Sequence, residues 1–452
     1  MPVPNGRRFA GLRATVMGLG RFGGGVAAAA WLAEQGARVT VTDLADEQTL
    51  AESLAQTSHV PLAGLHLGGH RDEDFRSTDL LVVNPAVPPG NGWVELARRG
   101  GAEITTELGL LLQHCGGRLI GVTGSNGKST TAAMIHAILS AADPPAAAGQ
   151  PHGMVWLGGN LGGSLLPRLD EIAPTDWVVL EMSSFQLTWI PAGMRMPELA
   201  VITGCTPNHL DWHGDFWHYA AAKRRLIADQ DANHAAVLNT ADPEVKQWVP
   251  AARGRVVPLI SWDDVPPLSL PGAHQRLNAR LAASAAEAIG VERPAIERGL
   301  ASVSALPHRL QPIASIGDVT FYDDSAATTP ESTIAALRAV ERPIWLLAGG
   351  KGKGCEVESL AAEIVARVEG VAFFGSVAEQ LAGCCRAMDD RIPIDVSGSL
   401  ASAFDWCARH AAAGRAVVLS PGFSSQDQFA SYVERAACFR SLVGDLHERR
   451  NR

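Results

Sequence analysis

Gly124, Ser125, Asn126, Gly127, Lys128, Ser129 and Thr130 stand where the apolar run "RLIGVTG" gives way to residues at helical spacing. Glycines at such a junction let backbone N–H groups approach phosphate oxygens, and the start of the following helix adds partial positive charge. Lys128 supplies a cation for the β- and γ-phosphates, and the Ser129 hydroxyl is a ligand suited to Mg2+. The strict GxxxxGK[ST] form asks for glycine at 122, where Val122 stands; Gly121 comes one residue early. A glycine turn without a ligand has no need of Lys-Ser-Thr at the helix start. The run is therefore read as a nucleoside-triphosphate site.

Other residues could serve such a site. Glu181 closes the apolar run "DWVVLE", where an unpaired buried carboxylate is costly. A Mg2+ ion beside the phosphates would relieve that cost, since it takes carboxylate, hydroxyl and phosphate oxygens. Without the phosphate loop, a structural acid would read the same way. "NHLDWHGDFWH" holds His209, His213 and His218 with Asp211 and Asp215, which suggests zinc by residue type but not by spacing. Lys223, in "YAAAKRRL", reads by itself as part of a solvated basic helix face. "GLGRFG" sets Gly18, Gly20 and Gly23 after a strand, with Asp43 about 20 residues on, as dinucleotide folds require. A pyrophosphate there suits NAD or a UDP-sugar equally.

These residues need strand ends to hold them. "RATVMGLG", "GGGVAAAAWLAEQGA" and "RVTVTD" read as strand, helix and strand. "DLLVVNPAV" is a further strand whose end opens at prolines around Asn84. Strands "RLIGVTG", "DWVVLEMSS", "LAVITGC" and "HAAVLNT" form a second unit, with a flexible connection expected over 144–154. After a Pro-rich stretch at 258–272 comes the helix "HQRLNARLAASAAEAIG". A third unit follows "ALPHRLQPI", with strands "VTFYDDS", "PIWLLAGG", "GVAFFG" and "AVVLSPG". The alternation predicts three α/β domains in series with parallel sheets, and ligands at the carboxyl ends of the strands.

At 452 residues, two to four domains are expected. A formal charge of −9 argues against a general nucleic-acid surface. No apolar stretch approaches the ~20 residues of a membrane span, and no signal-like apolar core follows the first basic residues, so a cytoplasmic protein is expected. The seven cysteines (Cys115, Cys205, Cys355, Cys384, Cys385, Cys407 and Cys438) form no CxxC pair. They are read as small buried residues in a reducing compartment.

With these residues in place, the chain resembles the Mur ligases, ATP-dependent amide-bond-forming enzymes of peptidoglycan precursor synthesis. The resemblance spans nearly the whole chain, in the ordered set "GVTGSNGKSTT", "GGNLGGSLL", "LEMSSFQL", "NHLDWH", "YAAAKRRL", "LPHRL", "DDSAATTPEST" and "LSPGFSSQDQF". Within the family, "EMSSFQL" and "LSPGFSSQDQF" are most similar to the branch that joins D-glutamate to UDP-N-acetylmuramoyl-L-alanine. Another Mur-type ligase or a folylpolyglutamate synthase relative is the alternative. An NAD-dependent oxidoreductase, suggested by "GLGRFG" alone, leaves the phosphate loop, Glu181 and Lys223 unexplained.

The resemblance implies a Rossmann-like UDP-substrate domain over 1–114, a central P-loop ATPase-type α/β domain over 115–306 and a Rossmann-like C-terminal domain over 307–452. Gly18, Gly20, Gly23, Asp43 and Asn84 then fall to the UDP-substrate. Ser129 and Glu181 match ligands of the nucleotide-bound Mg2+. Lys223 matches a lysine that becomes carbamylated and helps hold a second Mg2+, and His209 matches a histidine beside that ion. Asn160, in "GGNLG", matches a residue near the acyl-phosphate, and Asn278 an adenine-side contact. His308 and Arg309 match the hinge that meets the ATP phosphates, and Asp324 a ribose contact. Thr328, Lys353, Ser425 and Tyr432 fall where the amino-acid substrate is held.

The chain also departs from the family pattern. Ala326 stands where "DSKAT" has lysine; either Lys351 supplies that charge or activity is tuned differently. Leu44 replaces a uracil-side threonine, and Tyr432 a phenylalanine. The implied chemistry is phosphorylation of the alanine carboxylate by ATP, then attack by the amine, with no covalent enzyme intermediate. The C-terminal domain is expected to close over ATP about residues 306–309. A monomer is expected, without nucleic-acid or membrane partners.

Overall fold

A computed structural model describes residues 9–20, 23–142, 153–268, 270, 272–352 and 357–451. Lys353 thus lies outside the described residues, as do Arg21 and Phe22 of the first glycine loop and most of the connection expected over 144–154. By contacts the chain forms two compact units. The first holds residues 1–206, 217–265 and 278–300; the second holds 207–216, 266–277 and 301–452.

The first unit contains two sheets. One is built from β1 (Arg13–Met17), β2 (Arg38–Thr42), β3 (Gly64–His66), β4 (Leu80–Val83) and β5 (Glu103–Thr105), in the order β3-β2-β1-β4-β5. All its neighbours are parallel. The strand order reverses between β1 and β4, and a crevice opens at such a switch point. The other contains β6 (Arg118–Thr123), β7 (Val155–Gly159), β8 (Trp177–Glu181), β9 (Leu199–Ile202), β10 (Ala235–Leu238) and β11 (Arg255–Val257). It is parallel throughout, in the order β11-β10-β9-β6-β8-β7. β6 lies inside the sheet between β8 and β9, so the loop leaving β6 sits beside the ends of both.

The second unit carries β12 (Gln311–Ile316), β13 (Val319–Asp323), β14 (Ile344–Gly349), β15 (Val368–Phe374), β16 (Ile394–Val396) and β17 (Ala416–Gly422). The order is β12-β13-β17-β14-β15-β16, with only the β12–β13 pair antiparallel. Gly317 (φ 58) and Asp318 (φ 61) make the two-residue turn of that hairpin, the geometry that suits right-handed strand twist. Apolar clusters cover both faces of this sheet.

The strands expected from sequence are the long apolar runs. β4, β8 and β14 are buried at every position, as parallel strands covered on both faces must be. The strands missed are mostly three-residue edge strands, and β7 alternates buried and half-buried residues. The three-residue strands are too short for a period to show and are defined by pairing alone. The α/β class holds, with the antiparallel β12 as an addition.

Candidate active site

The first glycine loop follows β1 at the switch point. Gly18 and Gly20 have φ of 90° and 65°, a region open to glycine. A Cβ on Gly18 would lie 2.7 Å from Asn84 Cβ, and one on Gly20 would lie 2.9 Å from Asn84 Nδ2. Asn84, just past β4, therefore packs directly against the loop, and its Nδ2 donates to Gly18 O at 3.4 Å. Asp43, just past β2, accepts from Gly20 N at 3.2 Å and Ala45 N at 2.9 Å. Gly18, Gly20, Asp43 and Asn84 are thus one cluster. Gly23 differs: it caps the helix Gly24–Glu34 at φ 82° with open space where a Cβ would go. The close helix–strand approach expected of the third glycine falls to Gly25, whose Cβ would come within 2.4 Å of Leu19 O. The run of three glycines hid that assignment.

The second loop joins β6 to the helix Lys128–Ser140, capped by Gly127 at φ 82°. A Cβ on Gly124 would sit 1.9 Å from Thr203 Oγ1, and one on Gly127 would sit 2.4 Å from Asn278 Oδ1. Both glycines are required by tertiary neighbours as well as by backbone angle. Ser125 is fixed from several sides: its N–H donates to Gly204 O at 2.8 Å, its hydroxyl to Thr206 O at 2.9 Å, and Tyr219 Oη lies 2.8 Å from the same hydroxyl. Lys128 Nζ donates to Ser125 O at 2.9 Å, and Thr203 Oγ1 donates to Asn126 O. Ser129 and Thr130 are buried at the helix start. Thr203, Tyr219 and Asp242, which accepts from Cys205 N at 2.9 Å, hold the loop from other strands and helices. No local pattern in the sequence pointed to them.

Glu181 pairs with Val122 in the β6–β8 register and with Gly159 across β7–β8. It is 1% exposed. Asn160 N donates to Glu181 O at 2.9 Å, and Asn160 Nδ2 to Glu181 Oε1 at 3.1 Å. Oε2 is buried and has no hydrogen-bond partner among the described residues. A buried carboxylate oxygen left without a partner is strongly unfavourable. The donor set of Glu181 and the Ser129 hydroxyl beside a phosphate cradle therefore fits a hard cation. "SSFQ", part of the same motif, is structural: Ser183 and Gln186 form a capping box for the helix Ser184–Trp189.

Lys223 overturns the reading as a solvated basic face. It is 1% exposed on the helix Phe216–Ala228, and its Nζ donates to Gly124 O at 2.7 Å. Burial, then the nearby charge of Lys128, pulls its pKa well below the ordinary lysine range. Both effects favour the neutral amine over the ammonium. His209, at φ 55°, heads the short helix Leu210–His213 and belongs by contacts to the second unit. Among the described residues no group of three His, Cys, Asp or Glu side chains is gathered as a metal site.

In the second unit, the segment 308–310 is stapled onto the loop after β13. His308 (φ 63) and Leu310 (φ 44) are left-handed, an uncommon state for such residues and one that clusters at functional sites. His308 Nδ1 lies 2.7 Å from Asp323 Oδ2, Ala326 N donates to His308 O at 3.0 Å, and Leu310 N donates to Asp324 Oδ1 at 2.9 Å. Asp324 also accepts from Ser420 Oγ at 2.6 Å. Burial pushes its carboxyl up to about 7, with the Arg309 charge pulling the other way. Arg309 and Asp324 are therefore near one another. Thr328 is half-buried, Ser425 buried and Tyr432 exposed; the Tyr432 and His308 rings lie 6.1 Å apart.

Comparison with known proteins agrees with this layout. Residues 12–106 match the family described as Mur ligase MurD-like, N-terminal domain; residues 122–263 match Mur ligase middle domain; residues 308–423 match Mur ligase, glutamate ligase domain. A UDP-N-acetylmuramoylalanine--D-glutamate ligase of Roseiflexus sp. (strain RS-1) is 35% identical, over 96% of this chain and 99% of the relative. One of the same name from Acidobacterium capsulatum is 34% identical over 96% of each chain. In fold, the chain is similar to the UDP-N-acetylmuramate-alanine ligase of Thermotoga maritima, with TM-score 0.61 and 15% identity over 96% of this chain and 99% of that one. A folylpolyglutamate synthase of Mycobacterium tuberculosis shares the fold less closely, with TM-score 0.51 over 74% of this chain and 92% of that one. No helix among the described residues is long and apolar enough to cross a membrane. With three family matches in the expected order and relatives above 30% identity over 96% or more of their length, the chain belongs to the Mur ligase family.

Proposed function

We propose that the chain joins D-glutamate to UDP-N-acetylmuramoyl-L-alanine, converting ATP to ADP and phosphate in peptidoglycan precursor synthesis. The observation that carries the chemistry is Glu181, whose orphaned Oε2 stands beside a phosphate loop and Lys223. The substrates follow from the two relatives of that name. We assign residues 1–114 to the UDP-substrate, 115–306 to ATP, and 307–452 to the amino acid and the far side of ATP.

A carboxylate is a poor electrophile, so the alanine carboxylate first takes the γ-phosphoryl group of ATP. The glutamate amine then attacks the acyl-phosphate carbon, and phosphate leaves from the tetrahedral adduct. Backbone N–H groups of the loop other than that of Ser125, which Gly204 O takes, and the Lys128 ammonium hold the phosphates as charge shifts between oxygens. Asn160, oriented by Glu181, is assigned to the reacting acyl group. Mg2+ held by Ser129 and Glu181, and a second ion held by Lys223 as its carbamate, would neutralise the transferred phosphoryl group. The assignment of His209 to that second ion rests on the motif "NHLDWH". No step calls for a nucleophilic side chain. Thr328, Lys353, Ser425 and Tyr432 are assigned to the two carboxylates of glutamate. Lys351 is exposed and its backbone N–H donates to Ser424 O at 2.8 Å; either it supplies the charge absent at Ala326 or activity is tuned differently.

The test is phosphate release from ATP with UDP-N-acetylmuramoyl-L-alanine and each glutamate enantiomer, other amino acids serving as a panel. Release and product with D-glutamate are expected; release with L-glutamate alone, or with neither, would refute the proposal.

Two further outcomes follow from the geometry. Gly18→Ala would drive a Cβ into Asn84 at a left-handed position. Overpacking of this kind costs ~1–3 kcal/mol, or about 5- to 150-fold in the KM for the sugar nucleotide, with the KM for ATP unchanged. Steady-state kinetics against each substrate checks this. For Asp324, the ionised carboxylate is the stronger acceptor for ribose hydroxyls, so the KM for ATP should fall about two- to fivefold as pH rises through about 7. Asp324→Asn should flatten that profile. The stability sign is opposite: the folded state holds the proton more tightly than the unfolded chain, so this group's contribution declines as pH rises from the ordinary carboxylate range to about 7.

A further inference from the structure

Arg435, on the helix Tyr432–Asn451, is 0% exposed. A guanidinium out of water is tolerated only when its N–H groups are taken up. Nε donates to Ser325 Oγ at 3.1 Å, one terminal nitrogen to Phe423 O at 3.1 Å and the other to Ser325 O at 2.9 Å. The Ser325 hydroxyl passes the link on, donating to Tyr432 O at 2.8 Å. Gly350, at φ 127°, lies against the same group: a Cβ there would come within 3.2 Å of a terminal nitrogen.

Three loops therefore converge on one side chain. Ser325 begins the loop after β13 that carries Thr328, Phe423 begins the loop after β17 that carries Ser425, and Gly350 follows β14. The same loops are cross-linked by Gly422 N to Ala327 O at 2.9 Å and Lys351 N to Ser424 O at 2.8 Å. Burial pulls the guanidinium down to about 10, while Asp427, Asp323 and Asp324 favour its charge, so it stays charged at neutral pH. An apolar residue of similar length would fill this space without burying a charge. What arginine adds is a rigid fork of donors at fixed angles.

We propose that Arg435 is a positioning residue for the acceptor amino acid, setting the spacing of Thr328, Ser425 and Tyr432 without touching the substrate. This rests on the reading of those three residues as the glutamate site. Asp324 takes its hydrogen bonds from Leu310 N and Ser420 Oγ, not from Arg435, so ATP contacts should change far less than those to the amino acid.

The experiment compares full-length wild type, Arg435→Met, Arg435→Lys and Ser325→Ala, varying D-glutamate, ATP and sugar nucleotide in turn and recording thermal unfolding. Misplacement by ~1 Å costs up to about 100-fold. Arg435→Met is expected to raise the KM for D-glutamate about 10- to 100-fold, with the other two KM values within about twofold. Arg435→Lys keeps the charge but not the fork and should fall between, and Ser325→Ala should move the same KM in the same direction. If the variants lose only melting temperature, or all three KM values rise together, Arg435 is merely part of the core and the proposal fails. Should Arg435→Met not fold, the other two variants decide by the same criterion. Wild type without D-glutamate turnover would sink the substrate reading, whereas active wild type with unaffected variants sinks the inference alone.

Discussion

Lys223→Ala is expected to lose ligation by about 10²–10³-fold or more and to regain part of it in added formate or acetate. The reason begins with burial. An amine this deep, with Lys128 nearby, is pushed toward its neutral form, and a neutral amine can add to carbon dioxide, forming an N–C bond and releasing one proton to give a carbamate. The product turns a donor into a pair of anionic oxygens inside the phosphate site. A purely structural reading exists, because the same amine donates to Gly124 O at 2.7 Å and its loss would loosen the loop. Small carboxylic acids separate the two readings, since they replace oxygens but not an N–H donor. Carbon-13 bicarbonate should also give a carbamate resonance in wild type that Lys223→Ala lacks. Wild-type rates in Lys223→Ala, or a loss that no carboxylic acid restores together with no carbamate signal, would remove the carbamate from the mechanism.

Glu181→Gln should be nearly as damaging to activity, about 10²–10³-fold, while leaving the ligand-free protein at least as stable. The amide oxygen can still accept from Asn160 Nδ2, so the packing around Oε1 is kept. The other end changes from an orphaned anionic oxygen to an uncharged donor. Removing a buried charge without a partner relieves a desolvation cost, but an N–H group cannot ligate a cation. Thermal unfolding with and without Mg2+ and ADP reads both effects. Wild type should rise in melting temperature on adding both, by linkage, and Glu181→Gln should respond far less. A variant that melts lower without ligands and keeps its response would mean that Glu181 is a structural acid.

Much of this site is legible in a single chain because its pieces are local. Gly124 to Thr130 specify a strand-to-helix turn through residues adjacent in sequence, and the apolar runs 119–123, 177–180 and 344–348 announce parallel strands buried on both faces. The order of motifs then points to the family. One local assignment needed the fold: in "GRFGGG" the spacing rule points to Gly23, while the close contact with Leu19 O belongs to Gly25. A run of glycines offers several registers, and only the path of the backbone selects one.

By itself, then, the sequence determined the α/β class, the strand-to-helix turn that carries Lys128 and Ser129, and the glycine turn after the first strand, since each depends on a few neighbouring residues or on a short period. Only the tertiary structure decided that Lys223 is buried, that Asn160 occupies one oxygen of Glu181 and leaves the other without a partner, and that Asn84 stands behind Gly18 and Gly20. It alone brought Arg435 to Ser325 across 110 residues. Desolvation and hydrogen-bond satisfaction depend on which distant segments fold against a side chain. A lysine on a helix carries no mark of whether water or another strand will cover it.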